Sequence, residues 1–339
     1  ADYPGARNSQ QGFVAWLDDT ELDRAELGPG STVPGLAFAT RPFNVLDLYL
    51  ALRGDVTEKL GAVPPEVVQR ILRAIRGYEP MALPETTQDD EGRITVCVPS
   101  SLPGGTRRIA LGMVKTNRES LEAAAFGRPD DARARYEQLV RVIEEAASRP
   151  KPHYLLLPEL AMPTDWFVHF GLRLADRGVS LVSGVEYRRQ PHRVVHNQVW
   201  AALRLDASGP ALFALYRQDK QTPAPGEERN LRDLDALTLQ PEIPWKQPPL
   251  VVHGDFRFAL LICSELTNIA HRASLRGRVD ALLVPEWNQD LSTFGALVES
   301  AALDIHAFIA QSNHRQFGDA RIRGPFTNDW DRDVVRIRG

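Results

Sequence analysis

Three short apolar runs, each ending in a residue with chemistry to offer, constrain this chain more than any other feature. Phe256–Ile262 reads as a buried strand that delivers Cys263 at its C-terminal edge. Tyr154–Pro158 leads in the same way to Glu159, and Ala211–Tyr216 leads to Lys220. A carboxylate, a thiol and an ammonium group carried just past hydrophobic strands place all three at one end of a sheet. The combination is chemically meaningful. A thiol near its reference pKa of about 8.5 is a poor nucleophile at neutral pH, so it needs a base to take its proton and a cation to hold the charge that develops on its substrate.

Between and around these runs the pattern alternates between strands and helices. Strands are expected at 109–115, 154–157, 179–185, 197–205, 211–216, 249–253, 256–262, 280–284 and 307–312. Helices are expected at 131–147, 165–177, 266–277 and 292–304, and residues 217–248 read as a long loop. Such mixed β-α and β-β connections indicate an α/β protein with sheets covered by helices. His271 and Arg272 are expected on an exposed helix face.

Residues 1–106 read differently. They are turn-rich, with a helix capped by Asn44 and running to about Arg53, a second opened by Pro64 and Pro65, and a strand at Arg93–Val98. The expected division is an accessory segment 1–106 and a main domain 107–339, with Pro103–Gly105 as the boundary.

Composition excludes several function classes. The 339 residues are 43% apolar and 25% charged, ordinary values for a soluble globular protein, and the net charge of −4 gives no general pull toward nucleic acid or anionic membrane. No signal pattern or membrane-length apolar run occurs. Cys97 and Cys263 are the two cysteines, so a disulfide framework is excluded and a reducing cytoplasm is the simpler setting. His192 and His196 stand four apart with no third ligand nearby, and no metal or cofactor is expected. No Gly-x-Ser-x-Gly elbow, phosphate loop or dinucleotide fingerprint is present. Arginines 315, 321, 323, 332, 336 and 338 alternate with Asp319, Asp329, Asp331 and Asp333, which favours a salt-bridged surface. The chain opens at Ala1 without methionine and stops at Gly339 as Asp333–Ile337 begins to read as a strand, so it reads as a piece of a longer polypeptide, truncated at its C-terminus.

Taken singly, each candidate has a plain alternative. A cysteine ending a strand is usually a packing residue, Glu159 is placed to cap a helix, and Lys220 is placed on a solvated loop. The contexts jointly say more. Pro158–Pro163 resembles the general-base segment of the nitrilase superfamily of carbon–nitrogen hydrolases. Lys220–Glu227 resembles its lysine segment, including a Gly226-Glu227 pair that supplies a second glutamate, and Leu261–Glu265 is similar to its nucleophile elbow. Arg108–Val114 is similar to its first strand, and Asp280–Trp287 and Ile309–Asn313 to the two strands after the elbow. Order and spacing agree from about residue 107 to 320.

The resemblance implies a four-layer αββα sandwich and a hydrolase that cleaves a non-peptide carbon–nitrogen bond, an amide in preference to a nitrile. It implies a Cys263 thioester, Glu159 as base, Lys220 with the Ser264 N–H as oxyanion partners, and Glu227 as the second glutamate. It also implies a homodimer or higher homo-oligomer with two-fold symmetry. Ser264, Trp166, Glu286 and Trp287 are candidates to line the substrate pocket, Trp166 being equally placed to join the core. Ser264 departs from the family, where tryptophan or tyrosine commonly follows the cysteine, and Glu286 stands where a small residue is common. The extra carboxylate would suit a cationic substrate, or be a surface or supporting group. Cys97, without such a context, is expected to be structural. A second reading is a nitrilase-like module within a larger protein, such as a glutamine-using synthetase or a reverse-transcriptase fusion in phage defence. Its role would be assembly or regulation, and nucleic acid would enter only through the fused enzyme.

Overall fold

The computed structural model describes residues 79–80, 82, 84–101, 104–128, 132–148, 151–208 and 211–338. The helices expected from Asn44 and from Pro64, and most of the accessory segment 1–106, lie outside these residues. Two compact units are present, Ala1–Met81 with Ala207–Pro210 and Ala82–Asp206 with Ala211–Gly339. In the first, strands β1 (Glu79–Pro80) and β8 (Ala207–Ser208) pair antiparallel. The second unit contains everything described below, including strands β2 (Glu85–Gln88) and β3 (Ile94–Val98), which lie before the boundary expected at residue 106.

Two sheets make up this second unit. The first joins β4 (Ile109–Leu111), β5 (Tyr154–Leu156), β6 (Ser180–Gln190), β7 (Val194–Leu205), β9 (Leu212–Asp219) and β10 (Thr238–Leu239), with β9 and β10 both on β7. The second runs β16 (Asp333–Ile337), β15 (Ala320–Arg323), β14 (Phe308–Ser312), β13 (Ala281–Pro285), β12 (Phe256–Leu260), β11 (Leu250–His253), β3, β2. Neighbours β4, β5 and β6 are parallel, as are β12, β13 and β14. Parallel neighbours require crossovers. Helices α2 (Arg133–Ala147), α3 (Thr164–Asp176), α5 (Ile269–Leu275) and α6 (Leu291–Ile305) supply them. Helices α1 (Arg118–Ala125), α4 (Pro225–Asp235) and α7 (Asp329–Arg332) are local additions.

Side-chain alternation divides the core into layers. Along β5 and β7, Tyr154, Leu156, Val199, Ala201 and Leu203 pack with Phe258, Leu260, Leu282 and Val284 of the other sheet. Their neighbours Leu155, Leu157, Trp200 and Ala202 face the opposite way, against Leu139 and Ile143 of α2 and Phe167, Phe170 and Leu174 of α3. On the far side, Phe294, Val298 and Ala302 of α6 complete the packing of the second sheet. The result is the expected four-layer α/β sandwich.

Most expected elements occur within a few residues, and the exceptions have physical causes. The helix expected at 266–277 is split into a 3₁₀ turn (Cys263–Thr267) and α5, because Asn268 stops the first and caps the second, its Oδ1 accepting from the Ala270 and His271 N–H groups. Arg272 is not exposed as expected. It is buried and donates to the Leu266 carbonyl at 2.6 Å, which ties α5 to the end of that turn. Helix α4 lies in the stretch read as a loop, since Leu231 is its one buried residue and leaves no apolar stripe to detect. At the C-terminal end charges pair, with Arg323–Asp333 at 2.8 Å and Arg336–Asp319 at 2.7 Å, but Arg321, Arg323 and Asp319 are buried and do not lie on the surface expected for them.

A polar link between Tyr154, His253 and Arg204 crosses the apolar interior. Tyr154 OH lies 2.6 Å from His253 Nδ1, and His253 Nε2 lies 2.8 Å from the Arg204 carbonyl. Burial pushes His253 down to about 4, against the pull of that carbonyl. A histidine held below its unfolded pKa of about 6.5 stabilises the fold above that pH, and the contribution is lost as pH falls through about 4. The expected result is a fall in unfolding free energy between pH 6.5 and 4, on the order of 3 kcal/mol, that is absent in His253→Gln. Equal acid sensitivity of the two proteins would contradict it.

Candidate functional site

The ends of β5, β9, β12 and β13 meet at one end of the sandwich, and each is followed directly by a candidate side chain. Glu159 stands three residues past β5, Lys220 immediately past β9, Cys263 three past β12 and Glu286 immediately past β13. All four follow the C-terminal ends of their strands, where open α/β sheets present their sites.

Lys220 is the hub. Its Nζ donates to Glu159 Oε1 at 2.8 Å and to Glu227 Oε2 at 2.6 Å. Asn197, in the middle of β7, spans the same two carboxylates, its Nδ2 donating to Glu159 Oε1 and Glu227 Oε1, both at 2.8 Å. Tyr187 OH adds a bond to Glu227 Oε1 at 2.8 Å, and the Ala224 N–H one to Oε2 at 3.2 Å. Glu159 and Lys220 are almost wholly buried, at 3% and 1% exposure.

Burial sets most of the protonation behaviour. It pushes Glu159 above the ordinary carboxylate range; Lys220 opposes this and the Glu227 charge adds to it. Burial acts on Glu227 in the same direction, but Lys220, Asn197 and Tyr187 outweigh it and hold that carboxylate below its usual value. Lys220 would be lowered by burial, yet the two glutamates hold it well above the ordinary lysine range. The two carboxylates on Lys220 are thus pushed in opposite directions, Glu227 toward its ionised form and Glu159 toward its neutral one.

Unusual backbone occurs directly after Glu159 and at Cys263. Leu160, directly after Glu159, has φ 55°, and Cys263 itself has φ 48°. Left-handed backbone at non-glycine residues costs on the order of 1–3 kcal/mol and persists only where the surroundings impose it. Around Leu160, the Gly184 N–H donates to the Pro158 carbonyl at 3.0 Å and the Ala161 N–H to the Gly184 carbonyl at 3.1 Å. Arg135 Nη2 holds the Ala161 carbonyl at 2.9 Å while pairing with buried Glu186, and Thr116 Oγ1 holds the Leu160 carbonyl at 3.1 Å. At the elbow, Glu265 Oε2 accepts the Ile262 N–H at 2.9 Å and its Oε1 accepts the Gln221 N–H at 2.8 Å. That second bond fastens the cysteine turn to the segment carrying Lys220.

The Cys263 thiol is held well above its ordinary pKa by burial first, then by the Glu159 charge, with Lys220 acting against them, Glu286 adding to the rise and the Trp287 backbone N–H favouring the thiolate. The resting group is a neutral thiol that needs a base. Of the expected pocket residues, Ser264 follows Cys263 in the same turn, and Trp287 contributes its backbone N–H. Glu286 is wholly buried, which removes the surface option for it. For Trp166 the packing found is that of the second option, the core. Its ring packs edge-on against Tyr136 at 5.1 Å, under the Arg135 guanidinium, in the helical layer of α2 and α3. Cys97, half-buried in β3, lies apart from this cluster.

Asn197, Tyr187, Gly184, Arg135 and Gln311 were not legible as site residues. The nearest signal was Asn197, a polar residue inside a long apolar strand, where a buried amide must find partners.

No protein-family model and no curated protein matches the chain. Solved structures do. A cysteine-to-serine mutant of the Nesterenkonia AN1 amidase from the nitrilase superfamily is 17% identical, over 70% of this chain and 90% of that one, with a TM-score of 0.50. A CN-hydrolase superfamily protein of Xanthomonas campestris, with an arsenic adduct in its active site, is 15% identical over 68% of this chain and 86% of that one, at a TM-score of 0.49. With the two sheets, their helical cover and the shared strand ends already in place, this chain has the fold of the nitrilase superfamily.

Proposed function

We propose that this chain hydrolyses a carbon–nitrogen bond of a small amide through a thioester on Cys263. The observation that carries the reading is the convergence of Glu159 and Glu227 on Lys220 Nζ beside a cysteine held at a strained elbow. In this reading Glu159 takes the thiol proton as sulfur attacks the amide carbon. Lys220 has three N–H groups, of which two are given to the glutamates, and the third meets the developing oxyanion together with the Ser264 N–H. Collapse of the tetrahedral intermediate breaks the C–N bond, and the proton on Glu159 passes to the leaving nitrogen. Water then attacks the thioester, gives its proton to Glu159 and releases the acid and the thiol. Glu227 keeps Lys220 charged and in place.

Ammonia release from small aliphatic amides tests this. Cys263→Ala is expected to abolish release while the far-UV spectrum and melting behaviour persist, and Cys97→Ala is expected to retain it. Release that survives Cys263→Ala would overturn the reading.

The pH profile gives a second expected result. Because Glu159 is raised above its ordinary value and must be ionised to act, kcat/KM falls on the acid side at a pH above the usual carboxylate range. Glu227→Gln removes a charge that raises Glu159, so the acid limb moves to lower pH even as the rate drops. A limb unmoved by Glu227→Gln would assign it to another group.

A further inference from the structure

The side chain of Glu286 is a buried acid at this end of the sandwich for which the mechanism has no use. It is wholly buried. Its Oε2 accepts from Gln311 Nε2 at 2.8 Å, Gln311 Oε1 accepts from Arg321 Nε at 3.3 Å, and Arg321 Nη2 is anchored on the Gly295 carbonyl of α6. This chain fixes which way the amide of Gln311 points and so fixes the carboxyl. The other oxygen, Oε1, is buried and has no hydrogen-bond partner among the described residues, and the indole Nε1 of the adjacent Trp287 is in the same condition. A buried polar atom without a partner costs on the order of 1–3 kcal/mol, and a carboxyl is a poor choice merely to hold Gln311.

Position connects this oxygen to the nucleophile. Leu260 pairs with Leu283 across parallel strands β12 and β13, so three residues on, Cys263 and Glu286 leave neighbouring strand ends. The next residue, Trp287, gives its N–H to the Cys263 sulfur, and the Glu286 charge acts on Cys263 as the Glu159 charge acts on Glu286. Burial holds Glu286 well above the ordinary carboxylate range, Gln311 and Arg321 working against that and Glu159 and Asp319 with it. Lys220 is already paired with Glu159 and Glu227, and the cation that acts on Glu286 is Arg321, held on the far side by Gln311 and the Gly295 carbonyl. An aliphatic amide chain offers that oxygen nothing, whereas a cation supplies the N–H donor that Oε1 lacks and draws Glu286 toward its ionised form.

We propose that Glu286 selects the substrate, its free Oε1 accepting an N–H from an ammonium or guanidinium group carried a few bonds from the scissile amide. The inference rests on the amide-hydrolase reading above and names the substrate class for that site. A charge-assisted bond in a water-poor setting is the strong kind, and its loss is read as lost discrimination.

The test uses an isosteric pair, 4-aminobutyramide and pentanamide, on the full chain. Protection of Cys263 from iodoacetamide reports binding without turnover, and ammonia release reports turnover. The expected result is protection by 4-aminobutyramide at concentrations on the order of tenfold below pentanamide, with the ratio of kcat/KM favouring it similarly. Glu286→Gln keeps the shape and the bond to Gln311 and is expected to collapse both ratios. Equal protection by the two amides in the unmodified protein overturns the proposal without any variant, as does a preference that survives Glu286→Gln. Ammonia release from both amides with no charge preference removes this proposal and leaves the hydrolase reading standing. Cationic protection without release from any amide supports the recognition and removes the hydrolase reading.

Discussion

Lys220→Ala is expected to lower kcat by on the order of 10²-fold or more, with a smaller effect on KM, because the contact it removes strengthens as charge develops on the substrate. The same change leaves Glu159 and Glu227 facing each other across Asn197 with no cation between them. Breaking a buried ion pair by removing one partner costs about 3–5 kcal/mol, so a drop in melting temperature should accompany the loss of turnover. The two effects separate with pH. Acidification protonates one of the glutamates and removes their repulsion, so Lys220→Ala should regain stability relative to the unmodified protein as pH falls, without regaining activity. Normal kcat with a raised KM alone would show that Lys220 binds substrate and does not stabilise the transition state.

Gly184→Ala is expected to cost comparable activity from a residue that carries no chemistry. A Cβ at this position on β6 would lie 2.4 Å from the Leu160 N and 2.5 Å from the Glu159 Cα. Both are backbone atoms, in the segment already held at left-handed φ, so neither can turn aside as a flexible side chain would. The Glu159 loop must shift, and displacements of about 1 Å at a reacting group can cost on the order of 10²-fold in rate. Overpacking of this kind also destabilises by about 1–3 kcal/mol. Iodoacetamide labelling of Cys263 in Gly184→Ala separates the causes. Slow labelling with a retained fold fits a displaced base, whereas full activity would show that the loop has more room than its contacts suggest.

The fold was largely legible because its elements announce themselves locally. The run before Glu159 is continuous and apolar because β5 is buried on both faces. The run before Cys263 is buried at every position of β12 but Arg257, the run before Lys220 is apolar although β9 is only partly buried, and α2 carries its apolar residues at helical spacing. Where that signal fails, the element was missed. Helix α4 buries only Leu231, yet it brings Glu227 to Lys220, and the sign available was Pro225 at its first turn. The site was legible to the extent that motif context marked it, through Glu159, Lys220, Glu227 and Cys263. Its supports were not. Arg135 reaches the Ala161 carbonyl from another helix, and Gln311 reaches Glu286 from a neighbouring strand, contacts that only the tertiary fold creates. Trp166 was left open between pocket and core for the complementary reason. It lies seven residues from Glu159 in sequence, but the turn into α3 directs its ring to Tyr136.

The central claim is that Cys263 carries the acyl group during turnover. Rapid acid quench of the protein with a short aliphatic amide, followed by mass spectrometry of the peptide containing Cys263, tests it directly. The account predicts that this peptide gains the mass of the acyl group, that the Cys97 peptide does not, and that Cys263→Ala shows no adduct. Ammonia release with an unmodified Cys263 peptide, or an adduct on Cys97, would contradict it.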